Sequence, residues 1–71
     1  MPLSVGKELI KEKKFLDGFN FFNGVLKNSL DSELINTQAL FYKGICLTEL
    51  KLPAEALKCF KLTKKIDPKL L

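Results

Sequence analysis

Apolar positions along this chain recur at helical spacing, with polar residues between them. In the first segment, about Leu3 to Lys14, Val5, Leu9 and Ile10 alternate with Lys7, Glu8, Lys11 and Glu12. This spacing predicts a helix with one apolar face. The second segment runs from near Phe15 to near Leu30 and contains GFNFFNG, Gly18 to Gly24. Asn23-Gly24 is a hairpin signal, and Phe19-Asn20-Phe21 alternates like a strand. Phe15, Phe19, Phe22 and Leu26, however, fall at i, i+4, i+7 and i+11, the spacing of a helical stripe. A polar break at Asn28, Ser29, Asp31 and Ser32 follows. The third segment, from Asp31 or Ser32 to Leu50, has acidic residues for its first turn and apolar faces from Leu34, Ile35, Ala39, Leu40, Ile45, Cys46, Leu47 and Leu50. Pro53 suits the first position of a fourth helix, which carries Ala56, Leu57, Phe60 and Thr63. Lys64 and Lys65 favour its C-terminal end, and Asp67-Pro68 stops it. The expectation is an all-α chain of four helices.

A shift of 38 residues lays the first half on the second. Gly6 falls on Gly44, Leu9 on Leu47, Phe15 on Pro53, Gly18 on Ala56, Phe22 on Phe60 and Leu30 on Pro68. The chain therefore reads as two helix pairs, about 3–30 and 32–67, within a single domain over residues 1–71. On this reading GFNFFNG is the middle of a helix. Gly18, like Ala56, is a small residue where a neighbouring helix comes close. Phe19 and Phe22 face the core, Phe21 points elsewhere, and Gly24 is merely tolerated.

The second pair resembles a tetratricopeptide repeat, a helix–turn–helix unit of about 34 residues. Leu40, Gly44, Leu47, Ala56, Phe60 and Pro68 carry the resemblance, while Lys43, Thr63 and Lys51 depart from it. Lys51 stands where the turn commonly has glycine. The first pair matches through Gly6, Leu9, Gly18, Phe22 and Val25. The 38-residue shift exceeds the family period by about four residues, close to one helical turn. That places an extra turn at the start of the third helix or the end of the second. The resemblance implies antiparallel helices stacked in a short right-handed superhelix. It also implies a concave groove, lined by the first helix of each pair, that takes an extended peptide or a partner helix. Carried onto this chain, the groove holds Lys7, Ile10, Lys11, Gln38, Phe41, Ile45, Thr48 and Glu49. Phe41 and Ile45 beside Lys7 and Lys11 suit an apolar segment with acidic flanks. Some members of the family grip C-terminal carboxylates with a Lys/Asn/Arg clamp. Here those places hold Leu3, Lys7, Phe41 and Tyr42, so no carboxylate clamp is expected.

Composition narrows the function further. There is no His and no Trp, and every one of the 12 basic residues is Lys. The commonest general base is missing. Cys46 and Cys59 lack metal-ligand or C-x-x-C spacing and read as buried, reduced thiols. No enzyme activity, cofactor or metal site is expected. The net charge of +4 without Arg argues against nucleic acid, since Arg makes the bidentate contacts. No apolar run approaches a membrane span and the N-terminus lacks a secretory pattern, so a cytoplasmic location is expected. The reading is a protein–protein interaction module. The alternatives are a self-associating homo-oligomer, through the apolar groove or the end faces, and a lysine-driven binder of nucleic acid or anionic membrane. Two repeats are few for a stable stack, and so a fragment of a longer protein or a self-associating chain is expected.

Overall fold

The computed structural model describes residues 3–28 and 33–69. Its four helices are α1 (Ser4–Lys11), α2 (Phe15–Asn28), α3 (Glu33–Glu49) and α4 (Pro53–Ile66). No strand occurs among the described residues, and GFNFFNG is helical throughout. Each helix packs on the next, and α1 also touches α3. α4 begins at Pro53, as its spacing predicts, because proline's missing N–H costs nothing at a helix start. α3 has 17 residues against 14 for α2 and α4. The Asp31/Ser32 cap, the Leu30 counterpart of Pro68, and Leu70 and Leu71 lie outside the described residues.

The two halves repeat in detail. α1 ends with Lys13 at φ 62°, and α3 ends with Lys51 at φ 65°. After α1, the N–H of Lys13 donates to the Ile10 carbonyl at 2.9 Å and that of Lys14 to the Leu9 carbonyl at 2.8 Å. After α3, Lys51 donates to Thr48 at 3.1 Å and Leu52 to Leu47 at 2.9 Å. These are the paired bonds of a Schellman cap, in which a left-handed residue turns the chain out of the helix. A lysine fills the glycine slot both times, so the turn keeps its geometry without the glycine. The first helix accordingly stops at Lys11, before the Lys14 expected from periodicity.

The repeat extends to the packing. A Cβ on Gly44 would come within 2.6 Å of the Phe60 ring, and a Cβ on Gly6 would run into the Phe22 ring. Each glycine thus provides the hollow that admits an aromatic ring from the next helix. Gly18 lies against the Cys46 sulfur, with its ideal Cβ 3.0 Å away, whereas nothing lies within 4 Å at Gly24. Phe22, Val25, Ala39 and Cys46 form the centre of one buried cluster. Leu47, Ala56 and Cys59 form a second, and Phe19 packs against both. Phe21 departs from the sequence expectation. Instead of pointing away, it is half-buried, meets Phe22 edge-on at 5.3 Å and reaches the Gly6 hollow, its Cδ2 2.8 Å from where a Cβ would stand. Thr63 is fully buried, with its hydroxyl donating to the Cys59 carbonyl at 2.9 Å, and so costs the core no unsatisfied group.

Candidate functional site

α3 packs on α2 through Ile35, Ala39, Tyr42 and Cys46, and on α4 through Leu40, Gly44 and Leu47. Two of its sides are thereby occupied. The residues at Leu34, Gln38, Phe41 and Ile45 share a third side, by the i, i+4, i+7, i+11 rule. Leu34 is 67% exposed, while Gln38, Phe41 and Ile45 are half-buried. Phe41 and Ile45 belong to neither core cluster. Thr48 and Glu49 continue this side as exposed residues near the helix end, although the Thr48 hydroxyl is engaged by the Gly44 carbonyl at 2.9 Å.

Tyr42 joins this face to α1. The Lys7 ammonium lies 5.3 Å from the centre of the Tyr42 ring, and the Phe41 ring meets the same ring edge-on at 5.4 Å. An exposed cation and a half-exposed aromatic are thus held on one support. The Phe41 ring also lies 6.0 Å from Phe60 of α4. Lys11 is exposed beyond Lys7. Ile10 packs instead on the first core cluster, near Gly18. Leu34 extends the face by a turn. Nothing in its sequence context distinguishes it from a core leucine, because its exposure depends on which neighbours pack on α3.

A separate cleft of about 300 Å³ opens where α2, α3 and α4 meet, lined by Phe19, Leu40, Lys43, Leu47, Leu52 and Leu62 among others. None of the residues expected in the groove lines it. A wider depression beside it is lined by Asn20, Asn23, Gly24, Leu26, Lys27 and Lys43. The cleft draws residues from positions 19 to 62, so no local pattern announces it.

Burial pushes the Cys46 thiol up, against a smaller lowering by a backbone hydrogen bond. Burial also pushes the Cys59 thiol up, and Glu55 adds to this while Lys43 opposes it. Neither is an activated nucleophile. Among the described residues no group of three or more His, Cys, Asp or Glu could hold a metal ion. No helix among them is long and apolar enough to cross a membrane.

Comparison with known proteins adds one relationship. Sixty-one residues, 86% of this chain, are 41% identical to part of the probable UDP-N-acetylglucosamine–peptide N-acetylglucosaminyltransferase SPINDLY of Hordeum vulgare. The chain is similar to a short stretch of a far longer protein. It spans 6% of that relative's length. No family model matches the chain. No solved structure matches it either.

Proposed function

We propose that this chain is a tetratricopeptide-like module, its helix pairs at about 3–30 and 32–67 forming one unit, that binds a peptide or partner helix and performs no catalysis. The observation that carries the reading is the open side of α3. Leu34, Phe41 and Ile45 stand on it outside both core clusters, with Lys7 beside Phe41 on the Tyr42 ring. The repeated turns and the matched Gly6/Phe22 and Gly44/Phe60 pairs support the repeat assignment. Likeness to part of a SPINDLY transferase is compatible with it, and at 6% of that protein's length gives no ground for transferring the activity. The ligand that fits is an apolar segment flanked by Asp or Glu, with aliphatic side chains against Phe41 and Ile45 and carboxylates towards Lys7 and Lys11. The groove comprises Lys7, Lys11, Leu34, Gln38, Phe41 and Ile45, with Thr48 and Glu49 at one end and Ile10 beneath it. Two unpaired, buried thiols support a reducing, cytoplasmic setting.

The test is selection from a displayed library of acidic-flanked apolar peptides, followed by titration calorimetry with the best sequence. Ile45→Asp is expected to weaken binding at least about tenfold, the effect of about 1.4 kcal/mol. Lys7→Glu is expected to weaken it less and to reduce its salt dependence. Both variants should keep wild-type helicity. Selection of no binder, or equal affinity for Ile45→Asp and wild type, would refute the groove.

A further inference from the structure

α2 and α4 both pack on α3, yet their backbones do not come close to one another. The space between them is the cleft of about 300 Å³, with Leu40 and Leu47 of α3 as its floor. Phe19 of α2 forms one wall, Cys59 and Leu62 of α4 form the other, and Leu52 comes from the turn before α4. Floor and walls all belong to this chain. The apolar lining reaches the surface, since Leu52 and Leu62 are each 48% exposed. An apolar cavity with a few placed polar groups is the usual form of a small-molecule site.

Charge is distributed unevenly at the mouth. Lys58 lies 3.5 Å from the Glu55 carboxylate, so that carboxylate is already answered on the surface. Lys43 makes no ion pair among the described residues. Its ammonium rests instead 5.5 Å from the Phe19 ring centre, at the wall of the cleft. Lys43 also lines the neighbouring depression, where Asn20, Asn23 and Lys27 supply further N–H donors. A cation thus stands where an apolar cavity meets a surface carrying hydrogen-bond donors. Its field reaches inside, where it favours the Cys59 thiolate.

We propose that this cleft binds a free aliphatic carboxylate, its chain between Phe19, Leu40, Leu47 and Leu62 and its carboxylate on Lys43. An uncharged chain would leave Lys43 unpaired, and a short acid would leave the leucines in water. The two lysines and one glutamate at the mouth leave a single net positive charge, which suits one carboxylate. The site is separate from the open side of α3 and does not depend on the function proposed there.

The test is alkylation of the native 71-residue chain by iodoacetamide at pH 8, read by mass spectrometry with aliphatic acids added. Cys59 lines the cleft and Cys46 does not, so Cys46 is the internal control. Decanoate should slow Cys59 at least about fivefold, with half-protection at about 0.1–1 mM, and leave Cys46 unchanged. Each methylene from butyrate upward should tighten binding about threefold to fourfold until the cleft is full. At about 30 Å³ for a water-sized group, the 300 Å³ is full at roughly ten carbons. Decanol should bind about fivefold more weakly than decanoate, and Lys43→Met should remove that difference, each variant being compared with its own unliganded rate. Leu62→Glu, a good helix former at an exposed position, should weaken decanoate at least about tenfold with helicity kept. Ile45→Asp, on the open side of α3, should bind decanoate as wild type does, which separates this cleft from the groove. No protection of Cys59, equal affinity for decanol and decanoate, or loss of binding in Ile45→Asp would each overturn the proposal. Protection by the peptide selected for the groove, with none by decanoate, would give the cleft to a protein partner and overturn it too.

Discussion

One chemical change, glycine to alanine, should have opposite effects at two positions in neighbouring helices. Gly24 and Gly44 both sit inside helices, α2 and α3, so adding a methyl group gains about 0.8–1.0 kcal/mol of helix propensity at either. At Gly24 nothing lies within 4 Å of the new Cβ, and the gain stands alone. At Gly44 the Cβ would lie 2.6, 2.9 and 3.0 Å from three carbons of Phe60. Carbon contacts are normally about 3.5–4.0 Å, so the ring must retreat by roughly 1 Å. Retreat would also disturb the Phe41 ring, 6.0 Å away. Overpacking of this kind costs about 1–3 kcal/mol. Propensity cancels in the difference between the two variants. Gly24→Ala should therefore exceed Gly44→Ala in stability by about 1–3 kcal/mol, a gap of at least about 4 °C in Tm for a domain of this size. Urea unfolding followed by far-ultraviolet circular dichroism, at micromolar protein, measures both. Equal stabilisation by the two substitutions would show that Gly44 is not the hollow for Phe60, and would remove the packing basis of the repeat.

Four further outcomes follow from the turns and the thiols. Lys13→Gly and Lys51→Gly should each stabilise by about 0.5–1 kcal/mol in thermal melts, because glycine adopts the positive φ of 62° and 65° without the Cβ penalty. In native protein at pH 8, a thiol reagent such as dithiobisnitrobenzoate should label Cys59, at the cleft, faster than the fully buried Cys46, with both far slower than in urea. Lys43→Gln should slow labelling of Cys59 and Glu55→Gln should hasten it, since the lysine favours the thiolate and the glutamate opposes it. Both thiols are raised on folding, so their contribution to stability is complete below the unfolded thiol range, near pH 8.5, and declines as pH climbs through it towards the folded values. Replacing both cysteines by alanine should flatten that decline in unfolding curves taken between pH 8 and 10.

The helices were legible because periodicity, Pro53 and Asp67-Pro68 all agree, and because the 38-residue shift favours a helix over a hairpin at GFNFFNG. The Gly6/Phe22 and Gly44/Phe60 pairs were visible as repeated positions, but their meaning as hollow and ring lies in how the two helices pack. Phe21 was misjudged because periodicity describes one helix at a time. It sits a hundred degrees round α2 from Phe22, yet the hollow at Gly6 on α1 draws it inward. The turn at Lys51 carried no glycine signal, and only its φ reveals the cap. On the proposed groove, Phe41 and Ile45 were readable through family resemblance, whereas the exposure of Leu34 and the packing of half-buried Ile10 on the core depend on helix contacts that no local pattern encodes.

Tyr42 has a consequence for observing this molecule. It is the sole tyrosine, and the chain has no tryptophan. Its ring stacks on Phe22 at 5.5 Å, takes the edge of Phe41 at 5.4 Å and lies beneath the Lys7 ammonium at 5.3 Å. Excitation near 280 nm therefore interrogates one chromophore at the junction of α1, α2 and α3. Its near-ultraviolet dichroism reports fixed packing there and vanishes when that packing melts, even if helicity survives. A ligand settling on Phe41 would perturb the same signal. The unlabelled protein thus has its own spectroscopic probe between its core and its open face.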